Sequence, residues 1–113
     1  MIELDYTKNP KLFDEDAKEW ADKIGKTKKT QARNFYDKVL ELESKAKNEE
    51  WESVLPFIKM LNSKVAYGVS RKVVSPEFQK MMTSCVSQIN TKEDLTRFKL
   101  FFEAVLGFFK GSN

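Results

Sequence analysis

Thr91-Lys92-Glu93-Asp94-Leu95-Thr96-Arg97-Phe98-Lys99-Leu100-Phe101-Phe102-Glu103-Ala104-Val105-Leu106-Gly107-Phe108-Phe109-Lys110-Gly111 decides the fold. Thr91 followed three residues later by Asp94 resembles a capping box, and Gly111 supplies a stop, so the stretch predicts a helix over residues 92–110. Phe98, Phe101, Phe102, Phe108 and Phe109 lie in it, joined by Leu95, Leu100, Val105 and Leu106. At about 3.6 residues per turn these side chains wrap most of the circumference instead of forming one stripe. Either this helix is central to a bundle, or another protein covers part of its surface. A chain of 113 residues has little room to surround a helix. That favours a partner interface and predicts a homodimer in isolation.

Upstream, helix punctuation recurs and strand signals are missing, because no stretch alternates apolar and polar residues over a strand's length. Asp14 is expected to cap a first helix running to Ile24, with Gly25 as its left-handed stop and Glu15, Asp16 and Glu19 in its first turns. Thr30 is expected to cap a second over residues 31–47, with Ala32, Phe35, Tyr36, Val39, Leu42 and Ala46 on one face. Asn48 would cap a third, reaching residue 72, with Val54, Ile58, Leu61, Val65 and Val69 in register. Pro56 either kinks that helix or lies in the first turn of its main segment. Ser75-Pro76 opens a fourth over residues 76–89, a capping serine with proline at the first helical position. The prediction is an all-α fold, a single five-helix bundle spanning residues 1–113.

Composition excludes several functions. With no histidine and one cysteine, neither a Ser/His nor a Cys/His pair nor a Cys/His zinc cluster can be built. The acidic pairs Glu49–Glu50 and Glu93–Asp94 sit where helix starts favour negative charge, so no catalytic residue, metal or cofactor is expected. Cys85 lies among Met81, Met82, Val86 and Ile89 and reads as a buried, inert thiol. No window approaches a membrane span and no charged-then-apolar leader opens the chain, so a cytoplasmic protein without membrane contact is expected.

The net charge of +3 is unevenly distributed. Residues 1–25 hold four Lys/Arg against seven Asp/Glu, and residues 41–52 two against five. Residues 26–40 and residues 53–89 each hold five against one. Such blocks attract polyanions. On the third helix Lys64, Tyr67 and Arg71 fall along one flank, shared by Met60, where steps of three and four keep them neighbours. Lys64 and Arg71 span roughly 10 Å along the axis, enough for two successive phosphates, and Tyr67 adds a ring for stacking. Lys72 follows at the end of that block. On the second helix, Lys29 and Arg33 lie four apart, with Lys26, Lys28 and Gln31 crowding a helix start whose free amides favour an anion. Blander readings stand beside these. The lysines suit a solvated face, Arg33 suits an i+4 pair with Asp37, and Gln31 a polar first turn. Tyr67, taken singly, suits the core.

Three segments carry a family likeness: Lys29-Thr30-Gln31-Ala32-Arg33-Asn34-Phe35-Tyr36, Lys64-Val65-Ala66-Tyr67-Gly68-Val69-Ser70-Arg71 and Phe98-Lys99-Leu100-Phe101-Phe102-Glu103-Ala104-Val105. In this order and separation they resemble the small subunit of the type III-A CRISPR–Cas effector, the Csm ribonucleoprotein complex, over about residues 27–110. The matching elements are Thr30, Gln31 and Arg33, then Lys64, Tyr67 and Arg71, then Phe102, Glu103 and Ala104. Phe108 and Phe109 stand where relatives often carry tyrosine and histidine. The resemblance implies a non-catalytic antiviral-defence subunit that binds the backbone of guide RNA and target RNA and stacks on other Csm-complex subunits. Lys29, Arg33, Lys64 and Arg71 would be its main phosphate contacts. Two other readings compete: a protein–protein interaction module using the Phe-rich helix, and a helix-turn-helix DNA-binding protein. The second is weakened by Pro76-Glu77-Phe78-Gln79, a poor opening for a recognition helix.

Overall fold

The chain's own capping chemistry sets the last two helices. In this computed structural model, which describes residues 2–112, the Thr91 hydroxyl accepts from the Asp94 amide at 3.2 Å. The Asp94 carboxylate accepts in return from the amides of Asn90 at 3.0 Å and Thr91 at 3.1 Å. Ser75 Oγ accepts from the Phe78 amide at 3.1 Å, and Pro76 occupies the first helical position, where its missing N–H costs nothing. The helices run α1 (Ala17–Lys23), α2 (Lys29–Asn48), α3 (Trp51–Lys59), α4 (Leu61–Ser70), α5 (Pro76–Val86) and α6 (Lys92–Phe108), with a π turn (Leu12–Asp16) leading into α1. The described residues form no strand, so the protein is all-α. Helices α3 and α4 together are the predicted third helix. It breaks at Met60, one turn beyond Pro56, which lies inside α3 and cannot donate to the carbonyl behind it. Counted as one kinked helix, they leave the predicted five-helix bundle.

Five predicted caps and stops need correction. Asp14 makes no capping bond because it lies inside the π turn. Gly25 is not left-handed; among the described residues that conformation belongs to Lys72 (φ 62) and Gly111 (φ 63). Thr30 is inside α2, whose start is secured by tertiary bonds instead: Lys28 N donates to Val73 O at 3.1 Å and Lys29 N to Ser112 O at 2.8 Å. Asn48 is the last residue of α2 and donates back to Ser44 O at 3.1 Å rather than capping α3. Gly111, too, does something other than end α6, which stops at Phe108. Its left-handed turn brings the tail back onto α2, where an added Cβ would lie 2.7 Å from Lys29 Cγ.

Helix α6 is central. Leu95, Phe98, Phe101, Phe102 and Val105 are fully buried, covered by α1, α2 and the π turn. Leu100, Ala104 and Leu106 are half-buried, and Phe108 is the large apolar side chain of this helix left exposed. The apolar girth that suggested a partner interface is thus covered by the chain itself, and the premise for a homodimer goes with it. Phe102 holds the core together, with ring centroids at 5.5 Å from Tyr36, 5.8 Å from Phe98 and 6.1 Å from Phe78. Cys85 is buried as expected, and that burial pushes its thiol well above the ordinary range. The Lys59 ammonium closes the end of α5 by donating to Val86 O at 2.8 Å and Ile89 O at 3.1 Å. A buried hydroxyl pair, Thr27 and Ser75 at 3.0 Å, ties the α1–α2 turn to the start of α5.

Candidate nucleic-acid interface

Helix α4 buries Leu61, Val65 and Gly68 towards α5, which turns its other face to solvent. On that face Met60 is 45% and Tyr67 64% exposed, and Lys64 and Arg71 are exposed beside them. Tyr67 is therefore no core residue. Its buried reading fails because Gly68, next along, takes the place against Val74, where a Cβ would come within 2.9 Å of Val74 Cγ2. The Arg71 guanidinium lies over the Tyr67 ring at 5.4 Å, which orients both outward. One turn back across the break, Phe57 is 53% exposed and continues the same stripe. Steps of three and four link Phe57, Met60, Lys64, Tyr67 and Arg71 over roughly 20 Å. Phe57 is not among the residues that the sequence placed on this flank, although the three-four spacing extends to it.

The turn after α4 fixes a further cation. Lys72 N donates to Val69 O at 2.9 Å and Val73 N to Gly68 O at 3.0 Å, the paired bonds of a Schellman turn with Lys72 at its left-handed position. Glycine is the usual occupant, since an L-residue there costs about 1–2 kcal/mol. Glycine's own backbone entropy offsets part of that. Lys72→Gly is accordingly expected to raise stability by about 0.5–1 kcal/mol, read from denaturant or thermal melts. A lower melting temperature would mean that the lysine side chain makes a stabilising contact.

Helix α2 meets α4 at one groove, and its own turn splits the predicted basic cluster in two. Gln31, Asn34, Phe35 and Lys38 line a groove of about 230 Å³ together with Lys64 of α4. Gln31 and Lys64 are thus brought together, and Asn34 and Lys38, which repeat the three-four step from Gln31, join them. The bond from Lys28 N to Val73 O sets Lys28 beside the Lys72 turn, and Lys26 is exposed in the loop before it. Arg33 lies about 200° around α2 from Gln31, on the opposite flank. There it pairs with Asp37 at 3.2 Å and lies 5.4 Å over the Tyr36 ring. Lys29 faces that flank too, against the returning Gly111. The anion site expected at the start of α2 also changes, because the amides of Lys28 and Lys29 are already bonded to Val73 and Ser112. Below Arg33, Tyr36 donates to Glu103 Oε1 at 3.1 Å, and burial first, then this bond, raise its phenol above the usual value.

The carboxylate of Glu41 borders this face, paired with Lys38 at 3.5 Å. A wider concavity of about 710 Å³ at the α2–α3 turn is lined by Glu49, Glu50 and Glu52 together with Lys47 and Lys92, a mixed set that offers a polyanion no net attraction. Among the described residues no cluster of His, Cys, Asp or Glu could hold a metal ion, and no helix is long and apolar enough to cross a membrane.

The fold and this face define a small all-helical protein with a cationic, aromatic surface along one kinked helix. Residues 7–113 match the family described as Csm2 Type III-A, and the chain belongs to that family, the small subunit of the type III-A CRISPR effector, the Csm complex. No curated protein and no solved structure matches the chain.

Proposed function

We propose that this chain is the RNA-binding, non-catalytic scaffold subunit of its Csm complex, holding guide and target RNA by the backbone without reading sequence. The observation that carries this is the outward stripe of Lys64, Tyr67 and Arg71, with guanidinium and ring already stacked. Cations hold phosphates, an aromatic ring accepts any base, and the arrangement has no nucleophile to act on either. Lys72 supports the same reading: a lysine kept where glycine would be more stable points to a use for its ammonium. Lys26, Lys28 and Gln31 extend this face, while Lys29 and Arg33 form a second, smaller basic patch on the far flank. Other Csm subunits would meet the remaining surfaces, including the acidic α2–α3 turn. A helix-turn-helix reading is disfavoured because Phe78 and Ser75, at the start of α5, are buried and cannot enter a groove.

Counterion release supplies the test. With four phosphate contacts from Lys38, Lys64, Arg71 and Lys72, affinity for single-stranded RNA should fall roughly 50-fold between about 50 and about 200 mM salt. Strands of unrelated sequence should bind alike. Affinity that does not change with salt would favour the protein–protein module instead.

A further inference from the structure

We infer that the groove between α2 and α4 receives one unpaired nucleobase of an RNA strand, so that this face distinguishes a strand with free bases from a bare backbone. The inference rests on the RNA-binding reading above and goes beyond it by naming which part of the RNA is recognised.

The groove has the three components that such a site requires. Its volume of about 230 Å³ suits one base and is too small for an RNA helix. Phe35 lines it with a half-buried ring that packs on the fully buried Phe78 at 5.4 Å, so its position is fixed from behind. Gln31 and Asn34 present carboxamides at its wall, groups that both donate to and accept from the polar edge of a base. Lys38 and Lys64 stand on opposite helices across the groove and suit the phosphates on either side of the inserted nucleotide. Lys38 rests on Glu41 at 3.5 Å, an exposed pair that a phosphate displaces at little cost. Phe35 also serves the core, but its remaining exposure falls beside two carboxamides, a combination that phosphate contacts alone do not use.

Fluorescence anisotropy on the full chain at fixed salt tests this with three RNA probes of equal length: a single strand, the same strand with its bases removed at successive central positions, and a fully paired duplex. The intact strand is expected to bind about 5- to 150-fold more tightly than the abasic one, the range that base–aromatic stacking supplies. Phe35→Leu, which keeps an apolar contact with Phe78 but removes the ring, should shrink that ratio towards one while leaving the salt dependence in place. If that variant folds poorly, Asn34→Ala at the exposed wall, which removes a carboxamide without adding charge, tests the same ratio. Equal affinity of the unaltered protein for intact and abasic strands, with salt-dependent binding to both, would overturn the base site and leave the backbone reading standing. Absence of salt-dependent binding to all three probes would overturn both.

Discussion

Phe102→Ala is expected to destabilise the protein by about 3–5 kcal/mol, the usual loss when a buried phenylalanine is truncated. Phe102 is fully buried, and its ring touches those of Tyr36 on α2, Phe78 on α5 and Phe98 on α6. Removing it loses burial, three ring contacts worth about 0.5–1.5 kcal/mol each beyond burial, and leaves a cavity among rigid neighbours that cannot collapse into it. Against a total stability of about 5–15 kcal/mol for a domain of this size, such a loss brings the variant close to unfolding. Calorimetry should show a melting temperature lower by roughly 10–20 °C. A shift of only a few degrees would mean that the four rings do not pack as one cluster.

Lys64→Glu combined with Arg71→Glu should reduce RNA affinity on the order of 100-fold at low salt and lower the salt slope by about 1.4, the contribution of two single-strand phosphate contacts. Both side chains are exposed on α4, and neither replacement touches the core, so the melting temperature should move by no more than a few degrees. The lost Arg71–Tyr67 stacking accounts for about 0.5–1 kcal/mol of that. Arg33→Glu is the informative comparison, because Arg33 lies on the other flank of α2 and is paired with Asp37. It should leave most of the affinity intact. If Arg33→Glu costs as much as the double change, RNA crosses the far flank and the α4 stripe is not the main site.

What the sequence revealed depended on how local the controlling chemistry was. The starts of α5 and α6 were legible because serine–proline and threonine–aspartate satisfy amides within three residues. The start of α2 was not, since Val73 and Ser112, distant in sequence, displaced Thr30 from the role its residue type suggested. Lys64, Tyr67 and Arg71 could be placed on one flank from spacing alone, because α4 is regular. Their joint exposure depended on Gly68 letting α5 approach from the other side. Lys29 and Arg33 were grouped with Gln31 by closeness in sequence, which a helix overrides by turning each residue about 100° from the last. The groove was illegible for another reason: Asn34 and Lys38 of α2 meet Lys64 of α4 only through the tertiary fold. The breadth of apolar residues on α6 was read correctly as needing cover. That cover comes from within the chain, because α1 and the π turn supply more of it than a bundle of long helices would suggest.

The bonds that Ser112 makes to the loop before α2, including one from its hydroxyl to Lys26 O across 86 positions of chain, bear on the order in which the protein is made. A ribosome releases residues from the amino end, so α2 emerges long before the carbonyl that receives its Lys29 amide exists. Until the tail arrives, the first turn of α2 lacks that fixed partner and is free to fray. The same holds for the groove wall, because Lys64 follows Gln31 out of the tunnel by more than thirty residues. In a nascent chain the start of α2 therefore takes its final shape only once Ser112 has been made and can reach it.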